Sequence, residues 1–131
     1  MQAREDLRDI QPCRNRSGSD IPPHRILMRD VDQGVDAYEV AVDASAPLLG
    51  VSLQTILDGY NGDMARDGLV RVEAGAAISV GAKVTAGADG KGAASTTDED
   101  HVIGEAQTEA TLDGDIIEVF IKGGVTQNAS A

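Results

Sequence analysis

One pattern occurs twice in this chain, and it constrains the fold more than any other feature of the sequence. Ser17-Gly-Ser-Asp-Ile21-Pro-Pro-His-Arg-Ile-Leu27 lines up with Ala74-Gly-Ala-Ala-Ile78-Ser-Val-Gly-Ala-Lys-Val84 at a constant offset. Gly18 then falls on Gly75, Ile21 on Ile78, His24 on Gly81 and Leu27 on Val84. Further on, Leu48-Leu-Gly50-Val matches Val102-Ile-Gly104-Glu, and the halves close with Gly68-Leu-Val-Arg-Val72 and Asp115-Ile-Ile-Glu-Val119. The first copy carries extra residues in its middle and late loops. Two copies of one unit suit a pseudo-symmetric pair better than a solenoid, which needs three or more.

Inside each copy the signals are those of short strands. Arg25-Ile-Leu-Met28, Tyr38-Glu-Val-Ala-Val42, Pro47-Leu-Leu-Gly-Val51 and Leu69-Val-Arg-Val72 are separated by turn residues, as are Ala82-Lys-Val-Thr85, His101-Val-Ile103 and Ile116-Ile-Glu-Val-Phe-Ile121. Their spacing fits a small sandwich or barrel. Asp89-Gly90 reads as a hairpin turn, and Gly18, Gly75, Gly81 and Gly90 as the turn-defining glycines. There is no Trp, one Phe (Phe120) and two Tyr (Tyr38, Tyr60), so the core must be aliphatic. One helix is expected near Ser52–Asp58, because Leu53, Ile56, Leu57 and Tyr60 share a helical face between Ser52 and Gly59.

The expected fold is therefore mainly β: a small β-sandwich or barrel of two similar repeats, one short helix and an extended N-terminal arm. Residues 1–16 form the arm, 17–72 the first repeat with its helical insertion, 73–123 the second repeat and 124–131 a flexible tail. Residues 17–123 make one compact domain. No stretch reads as a signal peptide or a membrane span.

Charge separates the arm from the body. The 131 residues carry 11 Lys and Arg against 22 Asp and Glu, a formal net charge of −11. Residues 1–30 hold six Arg and five acids, whereas residues 31–131 hold five basic residues and 17 acids. Such a body repels the phosphate backbone of nucleic acid and an anionic membrane, and it favours a basic or neutral protein surface. In the arm, Arg alternates with Asp and Glu around sparse apolar residues, a composition that does not order alone. Arg4, Arg8, Ile10, Arg14 and Arg16 are accordingly read as an interaction arm that orders on a neighbouring subunit or another protein, and removal of residues 1–16 is expected to leave the body folded.

Chemistry-bearing clusters are sparse. His24 and His101 have no partner at ligand spacing, and His24 takes the place of a turn glycine. Cys13 sits near Arg14 and Arg16, but a single position supplies no base. Asp98-Glu-Asp100 and Asp113-Gly-Asp115 depart from the EF-hand pattern. Gly87-Ala-Asp-Gly90-Lys-Gly92 lacks the Lys-Ser/Thr pair that opens a phosphate-loop helix. No catalytic residue, cofactor or metal ligand is assigned. Lys91 beside the Asp89-Gly90 turn is the one residue a biotinyl- or lipoyl-type hammerhead carrier could use, and the two histidines are the only bases for a small hydrolase.

Val70-Arg-Val-Glu-Ala-Gly75-Ala-Ala-Ile78-Ser-Val-Gly81-Ala-Lys-Val84, the Asp89-Gly90-Lys turn, His101-Val-Ile-Gly104-Glu-Ala and Gly114-Asp-Ile-Ile-Glu-Val119 together resemble the capsid cement, or head decoration, proteins of tailed bacteriophages. The resemblance covers residues 70–123 clearly and 17–72 more loosely. Glu105 departs from it, standing where a small apolar residue is common, as does His24 in the first copy. It implies a non-enzymatic virion protein, made in the host cytoplasm, that binds the outer surface of an icosahedral head. The implied partners are the major capsid protein and the chain itself, as a homotrimer, with no direct nucleic-acid or membrane contact. The alternative is a hammerhead-type carrier or another assembly module.

Overall fold

The computed structural model describes residues 6–34, 37–97 and 99–127. Nine strands run in chain order as β1 (Asp6–Arg14), β2 (Ile26–Arg29), β3 (Tyr38–Val40), β4 (Gly50–Ser52), β5 (Asn61–Glu73), β6 (Lys83–Ala86), β7 (Gly92–Ala94), β8 (His101–Ala106) and β9 (Ile116–Gln127). They form one sheet, curled as a half-barrel, in the order β3-β2-β4-β5-β9-β8-β6-β7, with β1 attached to β5. That order reads as a palindrome about the central antiparallel pair β5 and β9. Parallel bridges Arg14↔Ala37 and Ala74↔Gly92 tie the two edges back toward β1 and β5. Each half therefore curls into its own ring of five strands, and β5 belongs to both.

The two halves also use the same backbone hydrogen bonds. Ile21 exchanges both of its bonds with Ile56, and Ile78 does the same with Ala110. The His24 amide donates to the Ser52 carbonyl at 2.9 Å, and the Gly81 amide to Ala106 at 2.8 Å. Both donors sit in the left-handed region, His24 at φ 64° and Gly81 at φ 85°, so the expected exchange of His for a turn glycine is a matched conformation. The Asn15 amide bonds the Tyr60 carbonyl as the Ala74 amide bonds Asp115, which makes Asn15 the counterpart of Ala74.

That last pair places two extra residues in the loop before Ile21. Gly18 lies in this loop at φ 92° and donates to the Asp58 carboxylate. Gly75 does not match it: its φ is not positive, and a Cβ there would lie 3.2 Å from the Lys91 Cβ. Gly81 and Gly90 do take positive φ. Asp89 (φ 60°) and Gly90 (φ 71°) form the tight turn between β6 and β7, within a single 3-10 turn at Ala88–Gly90.

Three expectations are corrected. No helix forms over Ser52–Asp58: Ser52 closes β4 and is buried, and its hydroxyl donates to the Pro22 carbonyl. Two backbone bonds between Ile56 and Ile21 hold this segment extended, and seven residues are too few for helical propensity to compete. The arm, over its described residues, is not extended away from the body. It is β1, paired antiparallel to β5 from Asp6↔Leu69 to Arg14↔Asn61. The tail assigned to 124–131 is strand as far as Gln127, and 128–131 lie outside the described residues.

The core is aliphatic, as the composition requires. Its main cluster joins the two rings through Ile26, Leu48, Val51, Val70, Val72, Ile117 and Ile121, among others. A second cluster fills the first ring: Cys13, Ile21, Leu27, Tyr38, Ile56 and Met64. Fully burying an aliphatic side chain of this size is worth about 1.5–3 kcal/mol, and β5 gains on both faces because Met64 and Ala65 are each buried.

Candidate interaction surface

The predicted interaction residues are spread along the outward side of β1 and its exit rather than gathered, with Ile10 opposite Ala65 and Arg14 opposite Asn61 at the start of β5. Arg8 is exposed and lies over the Phe120 ring, 5.4 Å from its centroid. Ile10 is 50% exposed. Arg14 donates from Nη2 to the Gln33 carbonyl at 2.8 Å, and Arg16 from Nη1 to the Asn15 carbonyl at 3.2 Å. Arg4 lies outside the described residues. Among the described residues, Arg8, Arg14 and Arg16 have no carboxylate partner.

Gln11, Pro12, Arg14 and Asn61 line a depression of about 310 Å³ on this face. Arg14 Nε is buried without a hydrogen-bond partner. Tyr60, one residue before Asn61, is 66% exposed, and Leu57 is 50% exposed. The helical reading of the sequence had given both a packing role. Their exposure follows from the extended path of residues 52–60, and no local signal in the sequence indicated it.

The other chemical candidates are engaged structurally. Cys13 is fully buried, and burial followed by the nearby Asp63 charge pushes its thiol up to about 11. The folded protein is therefore expected to resist Ellman's reagent at pH 8 and to react fully once denatured. Fast labelling of the native chain would contradict the burial of Cys13. His24 occupies its turn and His101 starts β8, each with a buried Nδ1 lacking a partner. Among the described residues, no group of three His, Cys, Asp or Glu is arranged to hold a metal ion.

Lys91 does not project from its turn. Its Nζ lies 3.0 Å from Asp113 Oδ1 and 3.5 Å from Glu73 Oε2, and Glu73 also meets Arg25 Nη2 at 3.3 Å. The Asp113 hydrogen bond raises the Lys91 pKa. This cluster crosses the boundary between the rings, because Arg25 precedes β2 while Lys91 and Asp113 belong to the second half. A carrier lysine must be free at a hairpin tip, and Lys91 is held.

Two further acids, Asp100 and Asp115, serve as loop clamps, whereas Asp30 and Glu118 are buried. The Asp115 carboxylate accepts from the Thr111 and Leu112 amides at 2.9 and 3.0 Å, and these bonds lower its pKa. Asp100 clamps the Thr96 and Thr97 amides in the same way, and its pKa is also lowered. Each clamp holds a loop that carries the next strand.

The nine-stranded, curled sheet defines a small all-β module. The phage cement protein family matches residues 29–122, and the chain belongs to that family. The crystal structure of the N base of head fiber gp8.5 from bacteriophage phi29 is similar in fold, with a TM-score of 0.68 and 24% identity. The match covers 87% of this chain and 93% of that one. Among curated proteins, none matches the sequence.

Proposed function

We propose that this protein is a capsid cement protein that sits on the outer surface of an icosahedral phage head and holds neighbouring capsomers together. Its partners are the major capsid protein and further copies of itself, as a trimer, and it carries out no catalysis. It is made in the host cytoplasm and ends on the virion. The observation that carries this reading is the family match over residues 29–122. The bare face of β1, with Arg8, Ile10, Arg14 and Arg16, supplies contact residues, and the acidic body suits basic patches of a shell or solvent.

Shell binding tests it. Purified protein is expected to attach saturably to undecorated heads and to raise the temperature at which they open. Attachment should weaken as salt rises from about 0.05 to 0.5 M, because exposed charges are screened over about 10 Å at 0.1 M and less above it. Failure to bind undecorated heads at any salt concentration would overturn the proposal.

A further inference from the structure

We infer that this chain binds a second copy of itself head to tail, seating the β8–β9 loop of one copy in the depression beside β1 of the next. The inference specifies the self-contact named in the proposed function, and four observations carry it.

The first is an unmet demand at the head. In a protein of net charge −11, three Arg side chains along β1 and its exit lack a described carboxylate partner. Arg14 lines the depression, and its buried Nε has no acceptor. Arg and Tyr are the side chains that most often anchor protein contacts, and Tyr60 stands exposed at the same end of β5.

The second is a matching supply at the tail. Residues 92–121 contain eight Asp and Glu and neither Lys nor Arg. Between β8 and β9, Glu109 is exposed with no described partner, and Leu112 is 69% exposed. A carboxylate and an aliphatic side chain three residues apart can meet an arginine that shares its depression with Gln11, Pro12 and Asn61.

The third is preorganisation. Asp115 holds Thr111 and Leu112 through their amides, and the Thr111 hydroxyl also donates to it at 3.2 Å. A loop fixed before contact loses less entropy on binding. The corresponding loop of the first half has Tyr60 at the place of Asp115 and lacks this clamp.

The fourth is geometry. The depression lies at the Asn61 end of β5, whereas Ile116, just after the loop, pairs with Glu73 at the other end. Twelve strand steps separate these ends by about 40 Å, so one chain cannot satisfy its own depression. A contact between two different patches is heterologous, and copies joined by it close into a ring when the rotation allows.

The test measures self-association without heads, by sedimentation velocity of the full chain in about 0.15 M salt, a physiological ionic strength. The wild type is expected to associate, and Glu109→Lys and Leu112→Ser are each expected to weaken association at least tenfold. Both substitutions lie on an exposed loop and leave the Asp115 clamp intact. Arg14→Glu is expected to weaken it similarly, and combining it with Glu109→Arg in one chain should restore it, with circular dichroism checking the fold. A wild type that remains monomeric at high concentration, or loop variants that associate like wild type, overturns the inference. A monomer that binds heads through Arg14 would assign the depression to the capsid protein and leave the cement reading standing. A chain that associates as described but never binds heads would leave the inference standing and remove the cement reading.

Discussion

Removing residues 1–16 is expected to abolish cooperative unfolding of the first ring, and Asn15→Ala alone is expected to cost about 2–4 kcal/mol. Asn15 is fully buried and uses its whole amide. Nδ2 donates to the Ser19 and Ile56 carbonyls, each at 2.8 Å, while Oδ1 accepts from the Ser17 amide and hydroxyl at 3.0 and 2.7 Å. Its backbone adds three bonds, from its amide to the Tyr60 carbonyl and from the Gly59 amide and Arg16 Nη1 to its own carbonyl. Each buried polar group left without a partner costs about 1–3 kcal/mol, out of a total stability of about 5–15 kcal/mol. The longer deletion also removes Cys13 from the cluster around Ile21 and Met64 and strips β5 of the strand paired along Asn61–Leu69. Urea denaturation decides the matter. A chain lacking residues 1–16 that unfolds at the wild-type midpoint would show that β1 is dispensable, as the composition of the arm alone suggests. A shorter deletion, of residues 1–10, keeps Gln11 through Asn15 and is expected to fold.

Of the two glycines that close the repeated strand motif, Gly104 and Gly50, Gly104→Ala is expected to be the more damaging, at about 2–4 kcal/mol. A Cβ at Gly104 would overlap the Phe120 carbonyl oxygen and lie 2.9 Å from its carbon. At Gly50 it would meet the Ala65 carbonyl oxygen at 2.7 Å and the Met64 sulfur at 3.1 Å. These two glycines close the same apolar-apolar-Gly motif in the two halves. In both, the obstacle is backbone of the adjoining long strand, which no rotamer change relieves, and overpacking of that kind typically costs 1–3 kcal/mol and occasionally more. Gly81→Ala is the control: no atom lies within 4 Å of the added methyl, and only the φ of 85° opposes it, worth roughly 1–2 kcal/mol. Thermal melts of the three variants should rank them Gly104, Gly50, Gly81 in order of loss. If Gly104→Ala melts no lower than Gly81→Ala, close strand approach is not what the motif's glycine serves.

What the sequence determined by itself was local and repeated. The matched turns at His24 and Gly81 and the Asp89-Gly90 turn are set by backbone conformations of a few residues, and their residue types show it directly, whereas Gly18 and Gly75 aligned in sequence without sharing a conformation. The absence of Trp, with so few rings, required the aliphatic core that is found. The resemblance to capsid cement proteins rested on the same turn-and-strand geometry, and the family match bears it out. Tertiary structure alone decided which distant segments pair. Residues 6–14 contain Pro12 and alternating Arg and Asp, a composition that orders only when a partner edge exists, and that edge is β5, more than forty residues away. Leu53, Ile56, Leu57 and Tyr60 have helical spacing, yet the bonds between Ile21 and Ile56 override it and leave Leu57 and Tyr60 exposed. Local propensity is worth tenths of a kcal/mol per residue, whereas a strand pairing brings several hydrogen bonds and buried side chains at once. The candidate surface consists of what those pairings left uncovered, so it became visible only when the sheet was complete.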